Sequence, residues 1–89
     1  MSININNINV NNKIIDIRNS ISYNKKHISN SINIPRLLLL ENPNNYITKY
    51  ETVYLICDEG ITSLSTSKIL NALGYDTYSI EGGIEKILN

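Results

Sequence analysis

The sequence predicts an α/β fold, a three-layer α/β/α sandwich built on a mainly parallel sheet. Three observations lead there. Short β-branched or apolar runs alternate with helical stretches along the chain. The connections between them are brief and marked by Gly, Pro and polar residues. Residues 52–57 (TVYLIC) form a near-continuous apolar run, the pattern of a parallel strand buried on both faces.

The elements follow in order. The opening ININNINV alternates Ile or Val with Asn imperfectly, which fits a short edge strand or an extended arm. Residues 13–18 (KIIDIR) make a better strand, β-branched and apolar except at Asp16. Residues 19–26 (NSISYNKK) fit a short helix or turn. Residues 31–35 (SINIP) read as a brief strand closed by a proline that has no N–H to donate. A leucine-rich helical stretch then runs from Arg36, breaks at residues 42–45 (NPNN), and is expected to resume for another turn. After the strand at 52–57 comes a polar loop, residues 58–62 (DEGIT), with Gly60 in its middle. Apolar or small residues at Leu64, Ser67, Ile69, Leu70 and Leu73 predict an amphipathic helix, with Ser63 as N-cap and Gly74 at its end. Residues 76–80 (DTYSI) give a last strand, Gly82-Gly83 a tight turn and residues 84–88 a short helix.

Length and composition narrow the function. The chain has 89 residues, so residues 1–89 are expected to make one domain, and 42% hydrophobic residues supply a core without a metal or disulfide staple. The 8 basic residues match the 8 acidic ones, which argues against binding nucleic acid or an anionic membrane through bulk charge. One cysteine makes no internal disulfide and no thiolate zinc site alone. With neither a signal peptide nor a membrane span in view, a reduced, cytoplasmic, monomeric protein is expected. The zero balance hides a division, since residues 1–40 carry a net +4 and residues 41–89 a net −4. The heavy use of Asn is assigned no chemistry.

In open α/β sheets, ligands bind beyond the carboxyl ends of the strands. Arg18, Arg36 and Cys57 each follow or close a predicted strand, so all three are expected at that edge. Cys57 ends a buried strand and leads through a glycine-containing loop into a helix. Loop N–H groups can curl round one atom, and the helix dipole adds positive potential; both favour the nucleophilic thiolate. The plainer reading is a small buried hydrophobe, and on Cys57 alone that reading is the stronger. The strand–Cys–loop–helix arrangement shifts the balance, because a merely packed cysteine does not require it.

These residues carry a resemblance. Residues 15–18 (IDIR), Tyr23, His27-Ile28 and residues 31–35 (SINIP) resemble the rhodanese pattern of a D-x-R strand, an aromatic, G-H-I and A-x-N-I-P. Residues 57–63 (CDEGITS) are similar to its C-x-x-G-x-R-S loop, and Leu73-Gly74-Tyr75 and residues 81–84 (EGGI) to its closing segments. The resemblance runs from about Lys13 to Ile87 and implies a five-stranded, mainly parallel sheet. It also implies a sulfurtransferase that needs no metal or organic cofactor. On that reading Cys57 attacks a small sulfur-donor anion such as thiosulfate, or a protein persulfide. The backbone N–H groups of Asp58, Glu59, Gly60, Ile61, Thr62 and Ser63 cradle the persulfide formed, and a thiol or cyanide acceptor removes its outer sulfur.

The departures bear on activity rather than fold. Thr62 stands where the pattern has the loop arginine, and Asp58 and Glu59 place two negative charges beside the thiol. Lys26 replaces the glycine before His27, Ser22 the acid before the aromatic, and Ile87 the tryptophan after the Gly-Gly turn. Weak thiosulfate turnover is therefore expected. With Ser22 in place of an acid, Arg18 is predicted to be free to turn towards Cys57 and, with Arg36, to offer an anion contact; the alternative is an Arg18 held by Asp16 or a backbone carbonyl.

Other chemistries fit less well. Dual-specificity phosphatases with this kind of loop need an arginine six positions after the cysteine, and here that residue is Ser63. His27 reads as a structural hydrogen-bonding residue, Asp16 as a partner for backbone donors, and Gly82-Gly83 as a turn with no phosphate-loop continuation. Two classes remain: a sulfurtransferase or persulfide carrier, and a non-enzymatic binding or regulatory module on the same fold. Cys57 and Gly60 favour the first, since a binding role requires neither.

Overall fold

The computed structural model describes residues 1–88. Five strands, β1 (Ser2–Ile3), β2 (Lys13–Asp16), β3 (Ser31–Asn33), β4 (Thr52–Ile56) and β5 (Asp76–Ile80), form one sheet. Their order is β1-β5-β4-β2-β3, and every neighbouring pair is parallel. The helices are α1 (Ser20–Lys25), α2 (Arg36–Glu41), α3 (Ile61–Ala72) and α4 (Gly83–Ile87). The break expected at residues 42–45 is a 3-10 turn over Pro43–Asn45, with proline at its first position.

The period of two along β4 explains the layers. Val53, Leu55 and Cys57 face one side, where they pack with Ile15, Ile17, Ile34, Leu39 of α2 and Leu70 of α3. Tyr54 and Ile56 face the other, against Ile14, Ile80 and Ile84 of α4. Ile3, Ile5 and Ile8 of the opening segment cover that second core. The expected edge strand is thus real but only two residues long, and the arm beyond it turns through a 3-10 helix at Ile5–Asn7.

Two expectations about α3 are corrected. The helix begins at Ile61, with Gly60 as N-cap, so Ser63 is not the cap but lies inside the first turn. The cause is local: Gly60 adopts φ +93°, a left-handed turn that starts the helix three residues early and aims Ser63 inward. The buried face of α3 is Ser63, Thr66, Ser67 and Leu70, whereas Ile69 and Leu73 are exposed. The hydroxyls are satisfied across the helix–strand contact: Ser67 Oγ bonds the Thr77 carbonyl at 3.0 Å, and Asn71 Oδ1 accepts the Thr77 N–H at 2.9 Å. A polar helix face is buried here because β5 answers it with polar partners.

The sheet order also sets the site. After β2 the chain moves to β3 on one side, and after β4 it moves to β5 on the other. The connections leaving the carboxyl ends of the paired strands β2 and β4 therefore run in opposite directions along the sheet, which opens a crevice where α/β sheets bind ligands.

Candidate active site

That crevice is a cleft of about 370 Å³ lined by residues 17–19 from the end of β2 and by Cys57, Asp58, Glu59, Ile61 and Thr62 from the loop after β4. Cys57 lies at its floor, 5% exposed. Its Sγ accepts the N–H of Gly60 at 3.1 Å and of Ser63 at 3.3 Å. The thiol in turn donates to Ser63 Oγ at 3.2 Å. The N-terminus of α3 thus points two amides at one sulfur, which stabilises negative charge on it. The sulfur of the resting thiol takes two of the loop's amides. Among the described residues, the amides of Asp58, Glu59, Ile61 and Thr62 make no bond to the sulfur, because the left-handed turn at Gly60 directs only Gly60 and Ser63 inward.

Arg18 is not free to turn towards Cys57; the alternative reading, that Asp16 and a backbone carbonyl hold it, is the one the structure shows. Its guanidinium forms a fork with Asp16, Nε to Oδ1 at 3.0 Å and Nη2 to Oδ2 at 2.8 Å. Nη2 also donates to the Lys26 carbonyl at 2.7 Å, and Nη1 reaches Asp58 Oδ1 at 3.5 Å. The hydrogen bond to Asp16 outweighs the opposing effect of burial, and the charges of Asp16 and Asp58 add to it, so the Arg18 pKa is raised above its ordinary value. The missing acid at Ser22 is simply replaced by one two residues back along β2. Arg18 therefore walls the cleft as a neutralised cation.

Arg36 is near the loop but not in the cleft wall. Its Nε donates to Thr66 Oγ1 at 2.9 Å, and Thr66 Oγ1 donates to the Thr62 carbonyl at 2.7 Å. Because Arg36 opens α2, this bond spends it on joining α2 to α3, and the expected anion contact is not formed by the cleft itself. His27 lies outside the cleft, stacked on Tyr23 at 3.9 Å with Nδ1 2.7 Å from the Tyr23 carbonyl, as a structural residue would be. Asn33 Nδ2 holds the end of β2 by donating to the carbonyls of Asp16 and Arg18.

Two supports of the loop escaped the sequence reading. Ser79 Oγ, buried on β5, lies 2.6 Å from Ser63 Oγ. The first turn of α4 packs against the loop: Ile84 N–H donates to the Cys57 carbonyl at 2.9 Å and Glu85 N–H to the Asp58 carbonyl at 3.0 Å. Gly83, at φ +63°, permits that approach, since a Cβ there would fall 2.5 Å from both carbonyl oxygens. A pair of glycines followed by no phosphate-loop residues was the one available signal.

The family model of the rhodanese-like domain matches residues 3–89. The chain belongs to the rhodanese-like domain family. Solved structures agree. A rhodanese-related protein from Thermoplasma volcanium superposes with a TM-score of 0.87 at 29% identity, covering 98% of this chain and 89% of that one. A rhodanese-like domain protein from Staphylococcus aureus gives a TM-score of 0.75 at 29% identity, covering 82% of this chain and 71% of that one. A NAD-dependent persulfide reductase from A. fulgidus gives 0.73 at 26% identity; 93% of this rhodanese-like chain aligns with only 15% of that protein. No curated protein matches the sequence significantly. The domain is thus related to sulfurtransferases and to a domain of a persulfide reductase. Among its described residues, no helix is long and apolar enough to cross a membrane.

Proposed function

We propose that this rhodanese-like domain is a persulfide carrier that moves sulfane sulfur between thiols through Cys57. The observation that carries the reading is the Cys57 sulfur at the floor of an open cleft, held by two amides of the α3 N-terminus. The Cys57 thiolate attacks the outer sulfur of a persulfide R–S–SH. The new Cys57 S–S bond forms as the donor's S–S bond breaks, and R–S⁻ leaves with the electron pair. An acceptor thiolate then attacks the outer sulfur and returns Cys57 as thiolate. No net oxidation or reduction occurs across the two steps. The Gly60 and Ser63 amides remain aimed at the inner sulfur throughout.

The cleft's charges favour an organic or protein persulfide over thiosulfate. Arg18 is already paired with Asp16 and Asp58, and Asp58 and Glu59 bring carboxylates to the lining. A dianionic donor would meet net repulsion there. Thr62 offers a hydroxyl in place of a cation. The exposed Ile61 at the same mouth gives an uncharged thiol-bearing partner an apolar contact.

Intact-mass measurement after incubation with an organic persulfide, beside Cys57→Ser, tests the reading. A gain of one sulfur atom on the wild type alone, lost again on adding a thiol, is the expected result. No gain with a persulfide, a polysulfide or thiosulfate would overturn it and leave a non-catalytic binding module.

A further inference from the structure

We infer that Ser79 is a positioning residue for the reactive thiol, acting through Ser63 as the second link of a hydrogen-bond chain that reverses when Cys57 gives up its proton. The inference rests on Cys57 being the reacting group, but not on which sulfur donor it uses.

The chain is built from three groups that carry one hydrogen each. The Cys57 thiol donates to Ser63 Oγ at 3.2 Å, Ser63 Oγ lies 2.6 Å from Ser79 Oγ, and Ser79 Oγ reaches the Gly60 carbonyl at 3.4 Å. Ser63 and Ser79 are both buried, at 0% and 1% exposure, so each hydroxyl must find its partner within the chain. In the thiol state the hydrogens all point one way, from sulfur to Ser63, to Ser79, to the Gly60 carbonyl. That last bond is long and the 2.6 Å bond is short, so the strength of the chain lies between the two serines.

When the thiol proton leaves for water in the cleft, the sulfur becomes an acceptor. Ser63 then turns its O–H to the sulfur, which frees its lone pairs to accept. Ser79 turns its O–H from the Gly60 carbonyl to Ser63. No heavy atom needs to move, because two hydroxyl rotations reverse the chain and each oxygen keeps a partner. The reversed chain ends on a negative charge, and charge-assisted hydrogen bonds are roughly twice as strong as neutral ones. Ser79 therefore stabilises the thiolate more than the thiol, although it never touches the sulfur.

On the same face of β5, Thr77 locks Ser67 and Asn71 of α3, and Ser79 joins the same helix one turn nearer its start, at Ser63. What sets Ser79 apart is that its partner Ser63 is itself bonded to the sulfur. Among the described residues the Ser79 hydroxyl faces only Ser63 and the Gly60 carbonyl, while its N–H is held separately by the Met1 carbonyl at 2.7 Å.

The test is the pH profile of Cys57 alkylation by iodoacetamide, which needs no sulfur donor. Ser79→Ala is expected to move the midpoint upward by about half to one pH unit, making alkylation below it about three- to tenfold slower. Ser79→Thr, which keeps the hydroxyl, is expected to restore the wild-type midpoint. In a Ser63→Ala background the Ser79→Ala change should move nothing further. A folded Ser79→Ala with an unmoved midpoint overturns the inference, and so does an equal shift with and without Ser63. Should Ser79→Ala fail to fold, the wild type serves. The NMR shifts of the Ser63 and Ser79 β-protons are expected to titrate together with Cys57, and an invariant Ser79 overturns the chain. Failure of persulfide loading would leave these readouts intact, so the two readings fail separately.

Discussion

Replacing Gly83 with alanine tests how firmly the first turn of α4 supports the cysteine loop. A Cβ at this position would sit 2.5 Å from the carbonyl oxygens of Cys57 and Asp58, where ordinary contact begins at 3.4 Å. The two backbones must part by close to an ångström, which stretches the bonds from Ile84 N–H and Glu85 N–H, now 2.9 and 3.0 Å. Each such bond contributes about 1 kcal/mol net. Alanine at a left-handed φ adds roughly 1–2 kcal/mol of strain. The expected loss is about 3–4 kcal/mol, and at roughly 4–8 °C per kcal/mol in a domain of this size the Tm should fall by about 15–30 °C. Gly74→Ala is the control. It carries the same kind of strain, at φ +99°, but its Cβ would meet only the end of the flexible Lys49 side chain at 3.4 Å. Urea denaturation followed by circular dichroism should therefore show Gly83→Ala about 2 kcal/mol less stable than Gly74→Ala. Equal losses in the two variants would refute the idea that the turn carries the loop.

Other consequences are open to direct measurement. Arg18→Ala leaves the fully buried Asp16 carboxylate without its cation, so a loss of about 3–5 kcal/mol in urea denaturation is expected, and a loss below about 1 kcal/mol would contradict the fork. Burial opposes the charged form of Glu51, but the Thr48 N–H and Lys13 outweigh it, and its pKa lies below the ordinary 4.5. The stability this supplies is present above that value and lost as the pH falls through the lower, folded-state pKa. Glu51→Gln should thus be less stable than the wild type at neutral pH, by no more than about 0.5 kcal/mol for so accessible a pair, with the gap closing in acid. A gap that widened in acid would reverse the sign. Thr62→Arg adds a cation to the cleft lining, and should raise kcat/KM for thiosulfate at least about tenfold while leaving transfer from an uncharged persulfide within about twofold. Equal gains for both donors would show that charge does not govern donor choice.

The central strands and the cysteine loop were legible because their signals are local. The run of residues 52–57 has one interpretation in a parallel sheet, and Gly60 marks the turn that follows it. The inward face of α3 was not legible, since hydrophobic periodicity ranks Ile69 and Leu73 above Ser63 and Thr66. Burial of those hydroxyls depends on Thr77 and Ser79, which lie on a different strand. The pairing of Arg18 was legible only as one of two alternatives, for a related reason. Asp16 was visible two residues away, but only the bend of the chain after β2 brings the fork onto its carboxylate. Gly83 could be read as a turn residue, yet the carbonyls it approaches belong to a segment some 25 positions earlier in the chain.

That distance bears on when the surroundings of the sulfur are assembled. The sulfur's donors come from residues 60 and 63, the second hydroxyl comes from residue 79, and the carbonyls of the loop are tied down by residues 84 and 85. During synthesis the cysteine is made long before these last supports. A nascent chain therefore lacks the full set of partners round its sulfur, which is complete only once the last helix is in place. Alkylation kinetics of the one cysteine become an inbuilt reporter of whether the final helix has docked.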